Sequence, residues 1–268
     1  MELEILVSTM NQHEYGLIKK MNIQSAAVFI NQCAQNSTHN FECGGLSIKW
    51  INSTDRGLSR SRNMAIDNAS SDICILADDD LEYIEGYRDI IINQFKIHSD
   101  ADIIAFQVEG IEKKFKNYYN NTRKLNYLTS MKVSSVEVAF KLNSIRRSGI
   151  RFNEMFGSGS KYFAGEECIF LTECLKKGLV IRYVPAKIAN LHIVTSTWFK
   201  GYNREYFITK GAMFAAMSRY YSIPYIIQFA IRKYRLYSDD MSMKDSIKIM
   251  LEGRNKFLKE EQEDRRGL

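Results

Sequence analysis

The sequence predicts an α/β fold, in which a mostly parallel sheet carries helices on both faces and a helical segment follows at the C-terminal end. Two observations predict it. Between residues 3 and 184, short apolar runs alternate with segments of helical periodicity, which is typical of parallel sheets with crossover helices. The apolar runs are also continuous rather than alternating, as in strands that are buried on both faces.

Length and composition agree with a globular protein of this class. The chain has 268 residues, of which 45% are hydrophobic and 25% charged, and these values exclude a collagen, a long coiled coil and wholesale disorder. A chain of this length holds one large domain, or one domain with an appendage. It can bury enough surface to fold without a stabilising disulfide or structural metal ion.

Individual elements follow from these patterns. Seven apolar runs predict the strands, at residues 3–7, 26–30, 46–51, 73–77, 101–108, 136–142 and 179–184. Helical periodicity predicts helices over residues 58–69 and 85–98. A further helix begins at Gly165, and Gly178 is well placed as its C-cap. We therefore expect strands and helices to alternate along the chain as far as residue 184.

The remaining segments differ in composition. Residues 110–132 are polar, basic and without a clear period, and residues 156–160 are rich in glycine, so we predict loops at both places. Beyond Thr197 the pattern becomes helical, aromatic and basic. From Lys200 onward the chain has 14 lysines and arginines against 9 acidic residues, so this quarter carries +5 of the net charge of +6.

Cysteine usage and the N-terminus indicate a cytoplasmic protein. The five cysteines form no C-x-x-C pair and no His-x-x-x-His accompanies them, so reduced thiols are expected rather than a zinc site. Residues 1–7 include two glutamates and no basic residue, unlike a signal peptide. The longest uncharged apolar run of the tail, residues 220–231, contains Pro224 and is too short to cross a bilayer.

Three aspartates, Asp78, Asp79 and Asp80, directly follow the apolar run at residues 73–77. In open α/β sheets, ligands bind at the carboxyl ends of the strands, which is where these residues fall. Adjacent carboxylates repel one another, and hard oxygen ligands suit Mg²⁺ or Mn²⁺ shared with substrate phosphates. The alternative interpretation is a solvated acidic turn before the next helix.

A second acidic pair, Glu166 and Glu167, begins the helix that follows Gly165. Acids in a first helical turn are favoured by the helix dipole, and this is the purely structural interpretation. The same dipole keeps a carboxylate ionised, as a general base requires. His192, after the last strand, is a further candidate, although a single histidine is more often structural.

Residues 57–63 form a glycine turn that enters a helix and carries Arg60 and Arg62, which is an arrangement suited to binding an anion. The chain contains no P-loop motif and no G-x-G-x-x-G after a strand, which argues against an ATPase and an NAD dehydrogenase. It also lacks the G-x-S-x-G motif of the serine hydrolases.

Three stretches together resemble the family 2 glycosyltransferases. They are LVSTMNQ at residues 6–12, DRGLSRSRNMAIDNASSDICILADDD at residues 55–80 and FGSGSKYFAGEECIFLTECLKKGLVIRYVP at residues 156–185. The resemblance covers residues 3–198 and implies the GT-A fold, a Rossmann-like α/β domain. It divides the chain into a nucleotide-sugar-binding and catalytic domain at residues 1–198 and a helical, aromatic and basic extension at residues 199–268.

The resemblance also implies roles for the acidic residues. Asp78 and Asp80 match the outer positions of the family's D-x-D motif, so Asp78 would face the ribose or base of the donor and Asp80 would hold Mg²⁺ or Mn²⁺. Asp78 is a second candidate ligand of this metal. Glu167 matches the catalytic base, which is usually an aspartate in the family, and Glu166 would orient the acceptor or the base.

The remaining donor-binding candidates lie at the ends of strands or on the helix after residue 57. Thr9 and Arg62 match positions that line the nucleotide pocket, and Asn11 and Asp79 adjoin these positions. Asn31 stands where the family commonly has an aspartate that reads uracil, which leaves the base of the donor open. His192 falls where relatives present a histidine to the diphosphate or metal.

These features predict a metal-dependent inverting glycosyltransferase. It would move a sugar from a nucleotide-diphosphate sugar, first of all a UDP-sugar, to a hydroxyl of a glycan or lipid-linked acceptor in cell-surface polysaccharide synthesis. One alternative is a non-catalytic sugar-nucleotide or glycan-binding subunit on the same fold. Another is a nucleotidyltransferase, which would need a basic glycine loop where the chain has Ser8-Thr9-Met10-Asn11.

Aromatic and basic residues alternate over residues 200–235, and two interpretations are open. In the first, helices pack on the core with a solvated basic face. In the second, the segment makes a peripheral membrane contact, at the inner face of the cell membrane, with aromatic side chains at the interface and cations on anionic lipid. The chain shows no fold that recognises nucleic acid, so no nucleic-acid partner is expected.

Overall fold

A single mixed sheet forms the centre of the first part of the protein in the computed structural model, which describes residues 1–193 and 201–266 and side chains as far as residue 263. The strands are β1 (Leu3–Met10), β2 (Ala26–Gln32), β3 (Ser37–Cys43), β4 (Leu46–Ser53), β5 (Ile73–Asp78), β6 (Leu81–Tyr83), β7 (Ile103–Gly110), β8 (Arg123–Lys124), β9 (Val138–Lys141) and β10 (Ile181–Leu191). Their order is β3-β4-β2-β1-β5-β9-β7-β10-β6, and β8 pairs with β10.

The described residues also form helices on the two faces of the sheet and beyond it. These are α1 (Leu17–Lys20), α2 (Leu58–Asn68), α3 (Tyr87–Ile97), α4 (Leu142–Ser148), α5 (Glu166–Lys176), α6 (Arg204–Met217), α7 (Ser222–Tyr237) and α8 (Met243–Arg266). Two short 3₁₀ turns, Ser130–Lys132 and Ser135–Glu137, precede β9. Among the described residues, no helix is both long and apolar enough to cross a membrane.

The predicted α/β fold is confirmed. Strands β4, β2, β1 and β5 are mutually parallel, as are β7 and β10. Four of the seven predicted strands lie within observed ones, and the other three overlap β7, β9 and β10 but begin two residues before them. Sequence reasoning missed β3, β6 and β8, which pair antiparallel. Strand β3 is polar and largely exposed, so it has no apolar run, but its turn into β4 is Gly44-Gly45 with positive φ at both residues. Such a glycine pair is a hairpin signal.

Parallel pairing fixes where the polar strand ends meet. Ser8 of β1 lies beside Asp78 of β5, and Thr9 of β1 lies beside Asn31 of β2. The carboxyl ends of the three strands therefore form one edge of the sheet, and the candidate residues that follow them converge there.

Two layers of apolar side chains cover the sheet, one on each face. One layer includes Phe29 and Trp50, whose rings stack 4.7 Å apart, and the helix α3. The other packs α2, α4 and α5 on the opposite face, and in it the rings of Phe152 and Phe170 stack 4.2 Å apart. Continuous apolar strands need cover on both faces, and these helices provide it.

A third apolar core joins the C-terminal helices to the rest of the protein. It contains Phe156, Tyr162 and Cys168 of the first part together with Phe207 and Met213 of α6. The boundary predicted between residues 198 and 199 lies outside the described residues. On either side of it, the two parts share this core, so residues from 201 onward pack against the first part.

Helices α6 and α8 cross at a pair of glycines. A Cβ atom at Gly211 would lie 1.8 Å from the carbonyl oxygen of Met250, and one at Gly253 would lie 2.1 Å from the carbonyl oxygen of Ile208. Each glycine thus admits the backbone of the other helix, and no side chain fits at either position without moving the helices apart.

We expect Gly211→Ala to lower the free energy of unfolding by at least about 1–3 kcal/mol, because the added methyl group overpacks the crossing. Urea denaturation of the full chain measures it. Gly16→Ala is the matched control, since a Cβ there meets no heavy atom within 4 Å. An unchanged unfolding midpoint for Gly211→Ala would show that the crossing is looser than described.

Candidate active site

A cleft of about 1380 Å³ opens at the carboxyl edge of the sheet. One wall consists of Asp78, Asp79 and Asp80 with the segment that follows β1. A second wall is formed by the segment after β7, at residues 113–116, together with Lys132. The lining of the cleft thus combines three aspartates with several lysines.

The three aspartates of this wall have different partners. Asp78 accepts a hydrogen bond of 3.1 Å from Nη2 of Arg62, and Asp79 accepts one of 2.5 Å from the hydroxyl of Thr9. Oδ1 of Asp80 is buried and has no hydrogen-bond partner among the described residues. Burial and the neighbouring carboxylates of Asp78 and Asp79 raise the pKa of Asp80 to about 6. Asp80 is therefore the aspartate that a cation in the cleft would stabilise most.

Arg62 lies beneath the cleft and links its two acidic motifs. Its side chain is 2% exposed; Nη1 donates to Glu166 at 2.8 Å, while Nη2 donates to Asp78 and to the hydroxyl of Ser135. Burial raises the pKa of Asp78, and the Arg62 guanidinium partly offsets this rise. The sequence predicted that Arg62 lines the nucleotide pocket, whereas the structure places it under the floor of the cleft.

The two glutamates at the start of α5 are also in different environments. Glu166 is buried in its ion pair with Arg62. Glu167 is half-buried and is not among the residues that line the cleft; its carboxylate accepts a hydrogen bond of 3.8 Å from Sγ of Cys168. Desolvation and the charge of Glu166 raise the pKa of Glu167 to about 7, although nearby Lys210 favours its ionised form.

Helix α6 packs directly on the turn that positions these glutamates. Gly165 has a φ of +102°, and a Cβ atom there would lie 2.7 Å from Cγ and Sδ of Met213. Lys210, one turn earlier on α6, is the source of the positive charge near Glu167. The C-terminal helices therefore form part of the surroundings of Glu167, a contribution that no motif in the sequence indicated.

The segment after β1 is held by a network of amides. The buried side chain of Asn31 accepts a hydrogen bond from the backbone N–H of Gln12 and donates to the Gln12 carbonyl and to Asn52. Gln12 in turn donates to Thr9. Asn11 is exposed and lines the cleft with a φ of +51°, but Asn31 and Thr9 lie behind it. The amide of Asn31 thus supports the cleft wall, and its bonds are already used within the protein.

His192 reaches the cleft at the end of β10. Its backbone N–H donates to the carbonyl of Asp80, which brings the two residues together. The imidazole nitrogens face carboxylates, with Nδ1 3.1 Å from Glu112 and Nε2 3.9 Å from Glu82. A metal-binding histidine commonly donates its other ring N–H to a carboxylate, so the contact of Nδ1 with Glu112 is compatible with binding through Nε2, and the metal-binding role of His192 stays a prediction.

Two backbone N–H groups at the N-terminus of α2, which the glycine turn was expected to offer to an anion, are engaged within the protein. The backbone N–H of Gly57 donates to the Gln32 side chain, and that of Leu58 donates to the carbonyl of Ser158. The hydroxyl of Ser59 donates to the carbonyl of Phe156. The glycine-rich loop at residues 156–160 thus contacts the start of this helix, and the anion-binding interpretation of the turn stays a prediction.

The lysines of the second wall were missed as functional residues. Lys113 and Lys114 are exposed in the cleft and form no ion pair within the described residues, whereas Lys116 pairs with buried Glu137. They lie in the loop predicted at residues 110–132, and the signal that could have found them is the run Lys113-Lys114-Phe115-Lys116. Two unpaired ammonium groups in the same cleft as the aspartates suit a phosphate-bearing ligand.

Comparison with known proteins agrees with this architecture. Residues 34–160, just under half of the chain, match the model of the family described as glycosyl transferase family 2. The structure of S. aureus TarS 1-349 is similar with a TM-score of 0.63 and 12% identity, over 96% of this chain and 83% of that chain. Its complex with UDP-GlcNAc gives a TM-score of 0.68 at 11% identity, over 96% and 80% of the two chains.

A further structure of S. aureus TarS has a TM-score of 0.63 and 11% identity, covering 91% of this chain but 46% of that one. At such identities the similarity shows a common fold. No curated protein matches the chain in sequence at a significant level.

The class of protein follows from the sheet and the family match together: this is a glycosyltransferase with the GT-A fold. The match to the family 2 model over residues 34–160 agrees with the resemblance that the sequence motifs indicated.

The link through Arg62 yields a stability prediction. We expect Arg62→Met to lower the free energy of unfolding by about 3–5 kcal/mol, because buried Glu166 and half-buried Asp78 would both be left without their cation. Urea denaturation at neutral pH measures the loss. Arg151→Met removes the exposed ion pair with Asp67 and should cost less than about 1 kcal/mol. Equal losses in the two variants would contradict a structural role specific to Arg62.

Proposed function

We propose that this glycosyltransferase moves a sugar from a nucleoside-diphosphate sugar to an acceptor hydroxyl with inversion at the anomeric carbon. The observation that carries the proposal is the buried bridge from Asp78 through Arg62 to Glu166. This bridge holds the acidic strand end, where a donor would bind, next to the helix start that carries Glu167. One site can therefore combine donor binding with a general base.

A UDP-sugar is the donor we propose. The support is the acidic and lysine-lined cleft together with the fold shared with TarS, which was crystallised in complex with UDP-GlcNAc. Lys113 and Lys114 would bind the diphosphate. The amide of Asn31 is engaged with Gln12 and Asn52, so we assign recognition of the base to exposed Asn11, which lines the cleft.

The residues of the cleft fit a divalent cation, and Mg²⁺ or Mn²⁺ is the cofactor we propose. Asp80 offers a buried carboxylate oxygen without a protein partner, and hard cations bind such oxygens. No cluster of three or more His, Cys, Asp or Glu side chains suited to a metal exists in the described parts of the chain. Asp80 would thus hold the ion with diphosphate oxygens and water completing its shell. When bound, the ion neutralises charge on the departing nucleoside diphosphate.

Glu167 is the general base of the proposed reaction. Its carboxylate would accept the proton of the acceptor hydroxyl as the oxygen attacks the anomeric carbon from the face opposite to the leaving group. Positioned base catalysis of this kind contributes roughly 10²–10⁴-fold to a rate. Glu166 cannot share this task, because its carboxylate is engaged with Arg62, and it acts by orienting the start of α5.

The acceptor we propose is a glycan or lipid-linked saccharide used in cell-surface polysaccharide synthesis, at the cytoplasmic face of the membrane. Its support is the family resemblance together with the basic segment at residues 200–235, which would contact the membrane surface. Lys200 itself lies outside the described residues.

A nucleotide-binding experiment tests the donor and the metal together. We expect UDP with Mn²⁺ or Mg²⁺ to stabilise the protein, by about 2.7 kcal/mol at 100 times the dissociation constant, and EDTA to abolish the shift. Thermal unfolding with UDP, GDP, CDP and TDP measures it.

Asp80→Ala should remove the metal-dependent part of this shift, whereas Asp89→Ala, an exposed aspartate of α3, should keep it. A response to another nucleotide alone would refute the UDP assignment. A full response in EDTA or in Asp80→Ala would refute the metal site. No response to any nucleotide would favour a glycan-binding role of this fold.

The raised pKa of Glu167 predicts a pH-dependent rate. We expect release of UDP from a UDP-sugar to rise with pH through about 7, because the base acts only when ionised. Lys210→Met should move this midpoint to higher pH, since it removes a charge that favours the carboxylate. Lys210→Arg should keep the midpoint at its original pH. Lys256→Met, which removes an exposed charge of α8, should leave the midpoint unchanged.

A second readout needs no substrate. The folded pKa of Glu167 is raised above its ordinary value of 4.5, so its contribution to stability is complete below pH 4.5 and is lost as the pH rises through about 7. Glu167→Gln should remove this part of the pH dependence of unfolding and abolish transfer. Full activity in Glu167→Gln would exclude it as the base.

A further inference from the structure

The outward face of α7 is apolar. Ile223, Ile227 and Ile231 recur every fourth residue on one side of the helix and are 44%, 44% and 60% exposed. An adjoining side of α7 is buried in the third apolar core with residues of α6 and α8 through Ile226 and Ala230. Burying the inner side is sufficient to dock the helix, so packing within the protein does not account for the isoleucines of the outer side. A continuous exposed apolar patch of this kind marks an interaction surface.

The same segment carries positive charges and no negative ones. From residue 218 to residue 238 the sequence contains no aspartate or glutamate but four basic residues. Their side chains are exposed, and none forms an ion pair with a described residue; they are Arg219, Arg232, Lys233 and Arg235. The four cations lie beyond the two ends of the isoleucine stripe. Whatever covers the stripe must therefore offer apolar groups and negative charge together.

The structure separates the aromatic residues of this region into two groups. Phe207 is buried in the third apolar core, and Tyr225 and Phe229 pack against Phe214 of α6. Tyr220, in contrast, is 89% exposed just before α7 begins. The packing interpretation of residues 200–235 thus holds for the buried aromatic side chains, whereas α7 and its N-terminal flank present exposed apolar and aromatic ones.

We propose that the outer face of α7 binds the surface of an anionic lipid bilayer. Ile223, Ile227 and Ile231 would enter the boundary between headgroups and acyl chains, while the four basic side chains contact lipid phosphates. A second copy of the chain fits this surface poorly, because a twofold interface would bring the same basic residues of both copies together. The proposal is independent of the donor and the metal.

Co-sedimentation of the full chain with lipid vesicles tests the proposal. We expect binding to vesicles of phosphatidylcholine with phosphatidylglycerol, much weaker binding to phosphatidylcholine alone, and a decrease with added salt. The charge variant Arg232→Gln, Lys233→Gln, Arg235→Gln should bind about 100-fold more weakly, since each cation near the surface contributes about fivefold. The apolar variant Ile227→Ser, Ile231→Ser should lose about tenfold or more.

Matched controls carry the same changes elsewhere. Lys244→Gln, Lys248→Gln, Lys256→Gln removes three exposed charges of α8, and Ile97→Ser, Leu128→Ser removes two exposed apolar side chains. Both controls should bind vesicles like the parent protein. All variants alter exposed positions, so they should keep the unfolding temperature and the nucleotide response of the parent, which separates this test from that of the donor.

Three results would overturn the proposal. The first is an absence of binding to anionic vesicles. The second is an equal loss of binding in the α8 control and the α7 charge variant, which would indicate a general effect of net charge. The third is a concentration-dependent oligomer that Ile227→Ser, Ile231→Ser dissociates, measured by light scattering without lipid, which would assign the surface to a second copy.

Discussion

The buried guanidinium of Arg62 is the interaction on which the site depends. It joins a strand end, Asp78, to a helix start, Glu166; the carboxylate of Glu166 is buried and that of Asp78 is half-buried at the cleft. Arginine suits this position because its planar group donates in several directions at once and remains charged. The third partner, Ser135, ties the same group to the turn before β9. One side chain thus fixes three segments that are far apart in the chain.

This constraint explains how neighbouring acids of one type can differ in function. In the aspartate triplet, Asp78 is engaged with Arg62 and Asp79 with Thr9, so that Asp80 alone retains a buried oxygen without a partner among the described residues. In the glutamate pair, the structural bond of Glu166 leaves Glu167 to titrate near neutral pH. The first member of each motif stabilises the fold, and a later one is available for chemistry.

The C-terminal helices contribute to both the interior and the surface. On the inside, Met213 packs on Gly165 and Lys210 brings a positive charge towards Glu167, so the surroundings of the proposed base depend on α6. On the outside, α7 exposes isoleucines and cations. The third apolar core contains residues from the first part of the protein and from the C-terminal helices, so it joins the surroundings of Glu167 to the exposed face of α7. A membrane surface held by α7 would therefore be connected to the site through packed helices rather than through a linker.

The sequence by itself determined the fold class and the places of the acidic motifs. Continuous apolar runs located seven strands, and strand ends in a parallel sheet must meet at one edge, so Asp78 to Asp80 could be placed without coordinates. The sequence did not predict strand β3, because a polar edge strand has no apolar period. Only the tertiary structure decided which side chains of the site form hydrogen bonds and ion pairs with each other. Arg62 and Glu166 are 104 residues apart, and the bonds of Asn31 depend on how the segment after β1 returns to β2. Periodicity reports which face of an element is buried, whereas a hydrogen bond between distant segments requires their relative positions.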